Sequence, residues 1–414
     1  MTRIVLSLSL VSFLASSSLA GDWHGWRGPH GDGTSEEKGV PLTWSATENV
    51  KWKVPLDGLG NSTPIVVGER VFIAHAPAKS KLRTLQCFNR NNGELLWKKE
   101  VEYADPEATH GTNPYCSSSP VSDGAMVVVY HGSPGLFAYD MEGKELWKAD
   151  LGKVEHIWGF GSSPVIQDGL VITNAGPGLN AAVIAVKATD GKEVWRKEYG
   201  AMKSPKIEDY RGSWSTPVLY KEGDQVLMLL SLPEKLYAVN PRTGEEVWSC
   251  GGLSKLVYTS PLVGKDAVVA MCGYTGPAMG VRRGGKGDVT ETHRLWLTDK
   301  PNPQRIGSGI IVGDYLYILN ETGIAWCLDP KTGEKKWEKR LGGPLSWSSM
   351  CQADGWLYVT NFNGDTYVLE ADPDDCKVLA ENKIGEQTRG SLAFSNGQVF
   401  LRTHKNLYCF EAKK

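Results

Sequence analysis

The chain has 414 residues, 45 Lys and Arg against 47 Asp and Glu, a formal net charge of -2, and 41% hydrophobic residues. So neutral a balance gives no electrostatic footprint for nucleic acid or an anionic membrane, and so apolar a composition excludes a disordered chain. Length alone suggests two or three domains, a prior that an internal repeat over most of the chain overrides.

The first element is a leader. Residues 1–20 carry one charge, Arg3, a mostly apolar run over 4–14, and a small-residue end at Ser18, Leu19 and Ala20. This is the pattern of a secretory signal peptide, too short to cross a bilayer. No cysteine follows the cleavage point, so an exported monomer without a lipid or membrane anchor is expected, periplasmic or secreted. Residues 21–49 hold Trp23, Trp26, Arg27 and Trp44, too aromatic for a free linker, and form an extension expected to pack on one face of the repeat domain.

From residue 50 to 414 the chain repeats itself. Trp52, Trp97, Trp147, Trp195, Trp248, Trp296 and Trp337 recur at intervals of 41 to 53 residues. A period of that size marks units that are single small sheets, each unable to bury its own faces alone. Most units pass through two apolar strands to a tight turn, as in 89–97 (NRNNGELLW), 140–147 (DMEGKELW), 190–195 (DGKEVW), 240–248 (NPRTGEEVW) and 329–337 (DPKTGEKKW). Asn or Asp opens the turn, the glycine supplies positive φ, and the tryptophan four residues later lies on the next strand, ready to cover a neighbouring sheet. A second marker, Ser-Thr-Pro or Ser-Ser-Pro, stands upstream at 62–64, 118–120, 162–164 and 215–217, with a related opening at 259–261; proline suits the first residue of a strand. Degenerate openings at 307–309, 348–350 and 390–392 raise the count to eight. The last unit lacks its outer strand, and 50–54 (VKWKV) is an outer strand without a unit. The expectation is an all-β, eight-bladed β-propeller with tryptophan-docking repeats, its ring closed by the N-terminal strand so that no sheet edge is left open.

The pattern D-x-x-T-G-x-x-x-W after a short apolar strand resembles the tryptophan-docking repeat of the pyrroloquinoline-quinone (PQQ) propellers, over about residues 50–414. That family includes quinoprotein dehydrogenases and cofactor-free members such as the lipoprotein subunit of the outer-membrane β-barrel assembly machine. The Trp-Arg-Gly-Pro run at 26–29 resembles secreted bacterial PQQ-like propeller proteins. The resemblance implies the fold strongly and an activity weakly.

Several chemistries are excluded. Cys87, Cys327 and Cys409 fall at the blade position of Ala138, Ala185 and Ala238 and read as small buried residues. Cys116, Cys250, Cys272, Cys351 and Cys376 remain, with disulfide pairing open. No C-x-x-C or C-x-x-C-H occurs, which removes haem attachment and a zinc motif, and the adjacent cysteine pair of quinoprotein alcohol dehydrogenases is missing. Residues 280–287 (GVRRGGKG) match a P-loop until Gly287 replaces the magnesium-binding Ser or Thr. Asp372, Asp374 and Asp375 lack EF-hand spacing. Neither G-x-S-x-G nor H-E-x-x-H is found.

What remains is a set of large and polar residues just before the blade openings, on connections that converge at one face of a propeller. These are His110, Asn113 and Tyr115 before blade two, His156 and Trp158 before blade three, and Asp209, Arg211 and Trp214 before blade four. Tyr258, Arg305, Trp347 and Arg389 precede blades five to eight. Aromatic faces beside arginines suit a planar anion or a sugar, or else merely plug the channel. A glycine-rich excursion in blade five, 279–296, carries Arg282, Arg283, Lys286, Asp288 and His293 and could form an anion nest or a basic surface hairpin. Three functions are compatible with these residues. The first is a cofactor-free binding protein for a protein or carbohydrate ligand. The second is a PQQ- and calcium-dependent quinoprotein dehydrogenase acting on an alcohol or sugar, for which Asp209 with Arg211, or Arg389, are the only analogues of its base and arginine. The third is an outer-membrane assembly scaffold.

Overall fold

A computed structural model describes residues 21–413 apart from 79, 208, 275, 299–305 and 344. The leader at 1–20 and Arg305 lie outside the described residues.

Eight antiparallel sheets follow one another along the chain and form an eight-bladed β-propeller. Blades one to seven span 65–102, 121–149, 165–197, 218–251, 262–297, 310–340 and 351–383. Blade eight takes three strands from 393–411 and its outer strand from Val50–Pro55, which pairs antiparallel with Asn406–Glu411. Ring closure by the N-terminal strand is therefore as the sequence suggests.

Each docking tryptophan sits on an outer strand, and its cross-strand partner is small: Cys87, Ala138, Ala185, Ala238, Gly280, Cys327 and Cys409 face Trp97, Trp147, Trp195, Trp248, Trp296, Trp337 and Trp52. The indole needs that space; a Cβ on Gly280 would stand 2.2 Å from Trp296 Nε1. A register slip beside every tryptophan is a bulge that re-aims the ring toward the next blade. There the indole N–H of Trp52, Trp97, Trp147, Trp195, Trp296 and Trp337 donates to a turn carbonyl at 2.7–3.1 Å. The turn glycine lies flat beneath the ring: a Cβ on Gly93, Gly143, Gly191, Gly244 or Gly333 would approach within 2.6–2.8 Å of it. Blade seven has Ala380 where the tryptophan would be.

Blade five breaks the pattern. Its excursion folds back so that Gly287–Asp288 pairs parallel with Trp248 and Ser249, a fifth strand outside blade four, followed by a single helical turn at Thr290–His293. Val289 and Trp248 are both buried there, in one apolar cluster.

The openings explain themselves at the channel. The backbone N–H of Thr63 donates to Ser119 Oγ, Ser119 to Ser163, Ser163 to Thr216, Thr216 to Ser260, Ser260 to Ser308, Ser308 to Ser349, Ser349 to Ser391, and Ser391 back to Thr63, all at 2.8–3.2 Å. The belt is circular, with one link per blade. Ser163→Ala is expected to cost about 1–2 kcal/mol by stranding the buried Ser119 N–H, whereas Ser163→Thr keeps the acceptor and costs less; urea denaturation of both variants checks this.

The extension crosses the other face of the ring. Trp23 exchanges two backbone hydrogen bonds with Val66 in blade one, and His24 O accepts from Ser122 N in blade two at 2.9 Å. Arg27, buried, donates to Met350 O and Gly309 O, each at 2.7 Å, and to Asp32 O. Trp44 stacks on Phe410 and Tyr358 in blades eight and seven. All eight cysteines are free and buried, so the pairing left open by the sequence is not made.

Candidate functional site

The connections that enter blades two to eight meet at the face opposite the extension, around a pit of about 360 Å³ on the channel axis. Trp26 lines this pit and also the groove under the extension. Thr63, Ser163, Thr216, Ser349 and Ser391 of the belt line the pit.

One wall is aromatic. Trp214 and Tyr258 stack with ring centres 4.8 Å apart and 9° between planes, and Trp158 leans on Trp214 at 5.9 Å. His156 lies buried edge-on to both tryptophans and is held neutral, its pKa lowered by burial. Trp214 is fixed by donating to Gly159 O at 3.0 Å, and Asn113 Nδ2 pins the loop carrying Trp158 by donating to Trp158 O and Phe160 O.

The facing wall carries charge. Arg389 lies over Phe362 and Trp347, its guanidinium carbon 4.3 and 5.0 Å from the ring centres. Among the described residues no ion pair joins it to a carboxylate, and its Nε has no acceptor. Burial lowers its pKa while nearby Glu321 opposes that. Glu321 accepts from Trp347 Nε1 at 2.9 Å, and burial raises its pKa against that bond and Arg389. His404, 3.5 Å from Arg389 Nη1, is pushed down to about 4 by burial and by Arg389 and Arg402, so at neutral pH it adds no charge. Asn61 Oδ1, also lining the pit, has no donor.

Of the residues singled out in the sequence, His110, Asn113, Trp158, Trp214, Tyr258, Trp347 and Arg389 line this pit together. The others lie elsewhere. Tyr115 lies under Arg83 and donates to Glu107 O. Asp209 is 3.9 Å from Lys255, and Arg211 pairs with Glu234 at 2.9 Å, so neither lines the pit. In the blade-five excursion Arg283 pairs with Glu222 and Asp288 with Lys235, while His293 bonds Thr292 and Arg282 and Lys286 are exposed. These side chains do not converge on one point. Hydrogen bonds from Lys235 and Thr290 hold the Asp288 carboxyl well below its usual range. Tyr274, Tyr210 and Glu321 escaped the sequence reading, and Trp26 was expected only in the extension, not at the pit. Tyr274 and Tyr210 extend the aromatic wall outward, and their only signal was proximity to residues already noticed.

The family profile described as outer membrane protein assembly factor BamB matches residues 81–339 and 327–413. A curated relative, the outer membrane protein assembly factor BamB of Burkholderia pseudomallei (strain K96243), is 24% identical over 307 residues, 72% of this chain and 68% of the relative. Among solved structures, BamB from Moraxella catarrhalis superposes with a TM-score of 0.60 at 15% identity, over 87% of this chain and 96% of that one. The quinohemoprotein alcohol dehydrogenase from Comamonas testosteroni gives 0.71 at 12% identity, over 97% and 82%. A europium-containing methanol dehydrogenase gives 0.65 at 12%, over 95% and 98%. At these identities the structural likeness establishes the fold alone.

Proposed function

The chain belongs to the BamB family of PQQ-like propellers, and from that premise we propose that it is an exported, cofactor-free binding protein whose site is the blind pit. Its ligand has a flat apolar face, which the Trp158, Trp214 and Tyr258 wall covers, and an acid group, which Arg389 receives. The observation that carries this reading is Arg389 itself: a half-buried guanidinium on two aromatic rings, without a carboxylate ion-pair partner among the described residues, on the wall opposite the stacked aromatics. A cation desolvated that far and left unpaired is costly unless an anion completes it.

The residues present do not fit PQQ with calcium. Calcium asks for six to eight oxygens with several carboxylates, and the described residues offer no group of three or more His, Cys, Asp or Glu able to hold a metal. Glu321, the carboxylate nearest Arg389, already accepts from Trp347. Asp209 and Arg211, the analogues the sequence offered, do not line the pit. The assembly-factor relatives favour a second reading, a protein partner in an envelope complex. No helix among the described residues is long and apolar enough to cross a membrane.

Titration of the mature protein with PQQ and calcium, and separately with monomeric sugar acids and their neutral counterparts, followed by tryptophan fluorescence and melting temperature, tests the proposal. Saturable quenching by an acid with a raised melting point is expected. Quenching by PQQ that requires calcium would overturn it in favour of a dehydrogenase, and no response to any of these ligands would leave the partner-protein reading. Arg389→Gln is expected to move stability by no more than about 0.5–1 kcal/mol, the range of substitutions outside a packed core, while removing the preference for acids. A large fall in melting temperature would make Arg389 a structural plug.

A further inference from the structure

The aromatic wall does not stop at the rim of the pit. Tyr210 and Tyr274, each 51% exposed, flank Trp158 on the outer side, with ring centres 5.1 and 6.4 Å from it. Tyr274 also lies 5.8 Å from Tyr258, which is stacked on Trp214 inside. The five rings form one continuous surface that begins within the channel and ends in solvent. Two exposed tyrosines packed on one tryptophan are not explained by the core. Tyr274 is moreover held at φ +43, a left-handed conformation that a bulky side chain rarely adopts and that points to function when a fold maintains it.

The pit has the opposite character at its other end. Trp26 lines both the pit and the groove under the extension, the place of a plug that would let a ligand enter but not thread through. Its volume, about 360 Å³, lies at the small end of the roughly 300–1,000 Å³ of ligand pockets. Its floor presents polar groups of both kinds. Each belt hydroxyl already accepts a backbone N–H, so its own proton is left to donate, and Asn61 Oδ1 is an acceptor without a donor. Arg389 adds one cation.

We propose, building on the reading of the pit as a binding site, that the ligand is the end of an acidic polysaccharide chain. A terminal uronic-acid ring sits in the pit with its carboxylate on Arg389, and the next rings lie along Trp158, Tyr210 and Tyr274. Flat aromatic faces match the C–H faces of pyranose rings, hydroxyl donors and an amide acceptor match ring hydroxyls, and a blind floor admits an end but not a midpoint. A sugar acid without a chain would use the pit, Tyr274 at its rim included, and leave Tyr210 idle.

Isothermal titration with galacturonate, glucuronate and mannuronate oligomers of one, three and ten residues, together with the methyl-esterified trimers, decides the matter. At least one acid series is expected to bind, its trimer more than tenfold tighter than its monomer and than its ester. One protein should bind per chain at both three and ten residues. Tyr210→Ala, which removes the outer ring that does not line the pit, should weaken the trimer severalfold and leave the monomer unchanged, and Arg389→Gln should erase the difference between acid and ester. Equal affinity of monomer and trimer, or a protein-to-chain ratio that rises with length, overturns the chain-end proposal while leaving the pit as a monomer site. Failure of every acid to bind overturns the proposal and the pit reading together.

Discussion

Trp248→Ala is expected to destabilise the protein by about 3–5 kcal/mol, the range for truncating a fully buried aromatic residue. Six docking tryptophans rest on the turn of the next blade and spend their indole N–H on a carbonyl there. Trp248 has no such turn to meet. Blade five offers the excursion instead, and Trp248, with no exposed surface, faces the Tyr220 hydroxyl rather than a turn carbonyl and packs in one cluster with Val289, Met279 and Val281. Removing the ring therefore opens a cavity and also removes the surface on which residues 283–293 fold. Urea unfolding measures the first effect. Limited trypsin digestion measures the second, because Arg282, Arg283 and Lys286 lie in or beside the excursion and cleavage there should rise many-fold under native conditions. The same substitution at the half-buried Trp97 is expected to cost less and to leave the excursion resistant.

Glu386→Ala is expected to cost roughly 3 kcal/mol at pH 7, the scale for breaking a buried, hydrogen-bonded charge arrangement. The Glu386 carboxylate accepts from Thr403, Asn406 and Tyr408 in blade eight at 2.7–2.9 Å and pairs with Lys53 of the closing strand at 3.0 Å. It ties the N-terminal strand to the last blade. Burial opposes its ionisation, but the bonds from Asn406, Tyr408, Thr403 and Lys53 prevail and hold the pKa down at about 2. A carboxyl depressed on folding contributes stability that is complete above its unfolded value of about 4.5 and is lost as pH falls toward 2. The native protein should therefore weaken between pH 5 and pH 2, and Glu386→Ala should be weaker at pH 7 but flatter across that interval. Urea midpoints at pH 7, 5 and 3 give the comparison; equal slopes in the two proteins would remove Glu386 from the account.

The fold was legible because its requirements repeat from blade to blade. Turn glycines, docking tryptophans and the small residues facing them recur at the same place in most blades, so Cys87, Cys327 and Cys409 could be recognised as equivalents of Ala138, Ala185 and Ala238. The pit was legible only where a connection carries a large residue close to its opening serine, as with Trp158, Trp214, Tyr258, Trp347 and Arg389. Tyr274 could not be found that way, since it follows the second strand of blade five and reaches the site only when the ring closes. Arg211 and Asp209 have the right types in the right connection, yet Glu234 and Lys255 draw them aside. The blade-five excursion carries basic residues that suggest an anion, but their neighbours Glu222 and Lys235 are distant in sequence and invisible without the fold.

The hydroxyl belt turns blade number into something that can be spelled. In each link the donor is a backbone amide, which of all side chains only proline removes, and the acceptor is a hydroxyl, which only two common side chains supply at that size. The alphabet at these eight positions is thus Ser and Thr, and in chain order they read Thr63, Ser119, Ser163, Thr216, Ser260, Ser308, Ser349, Ser391. The tryptophans undercount the ring by one, at blade seven. The hydroxyls do not, and because each mistake is felt in the preceding blade rather than its own, a word with a letter missing would betray which neighbour had lost its partner.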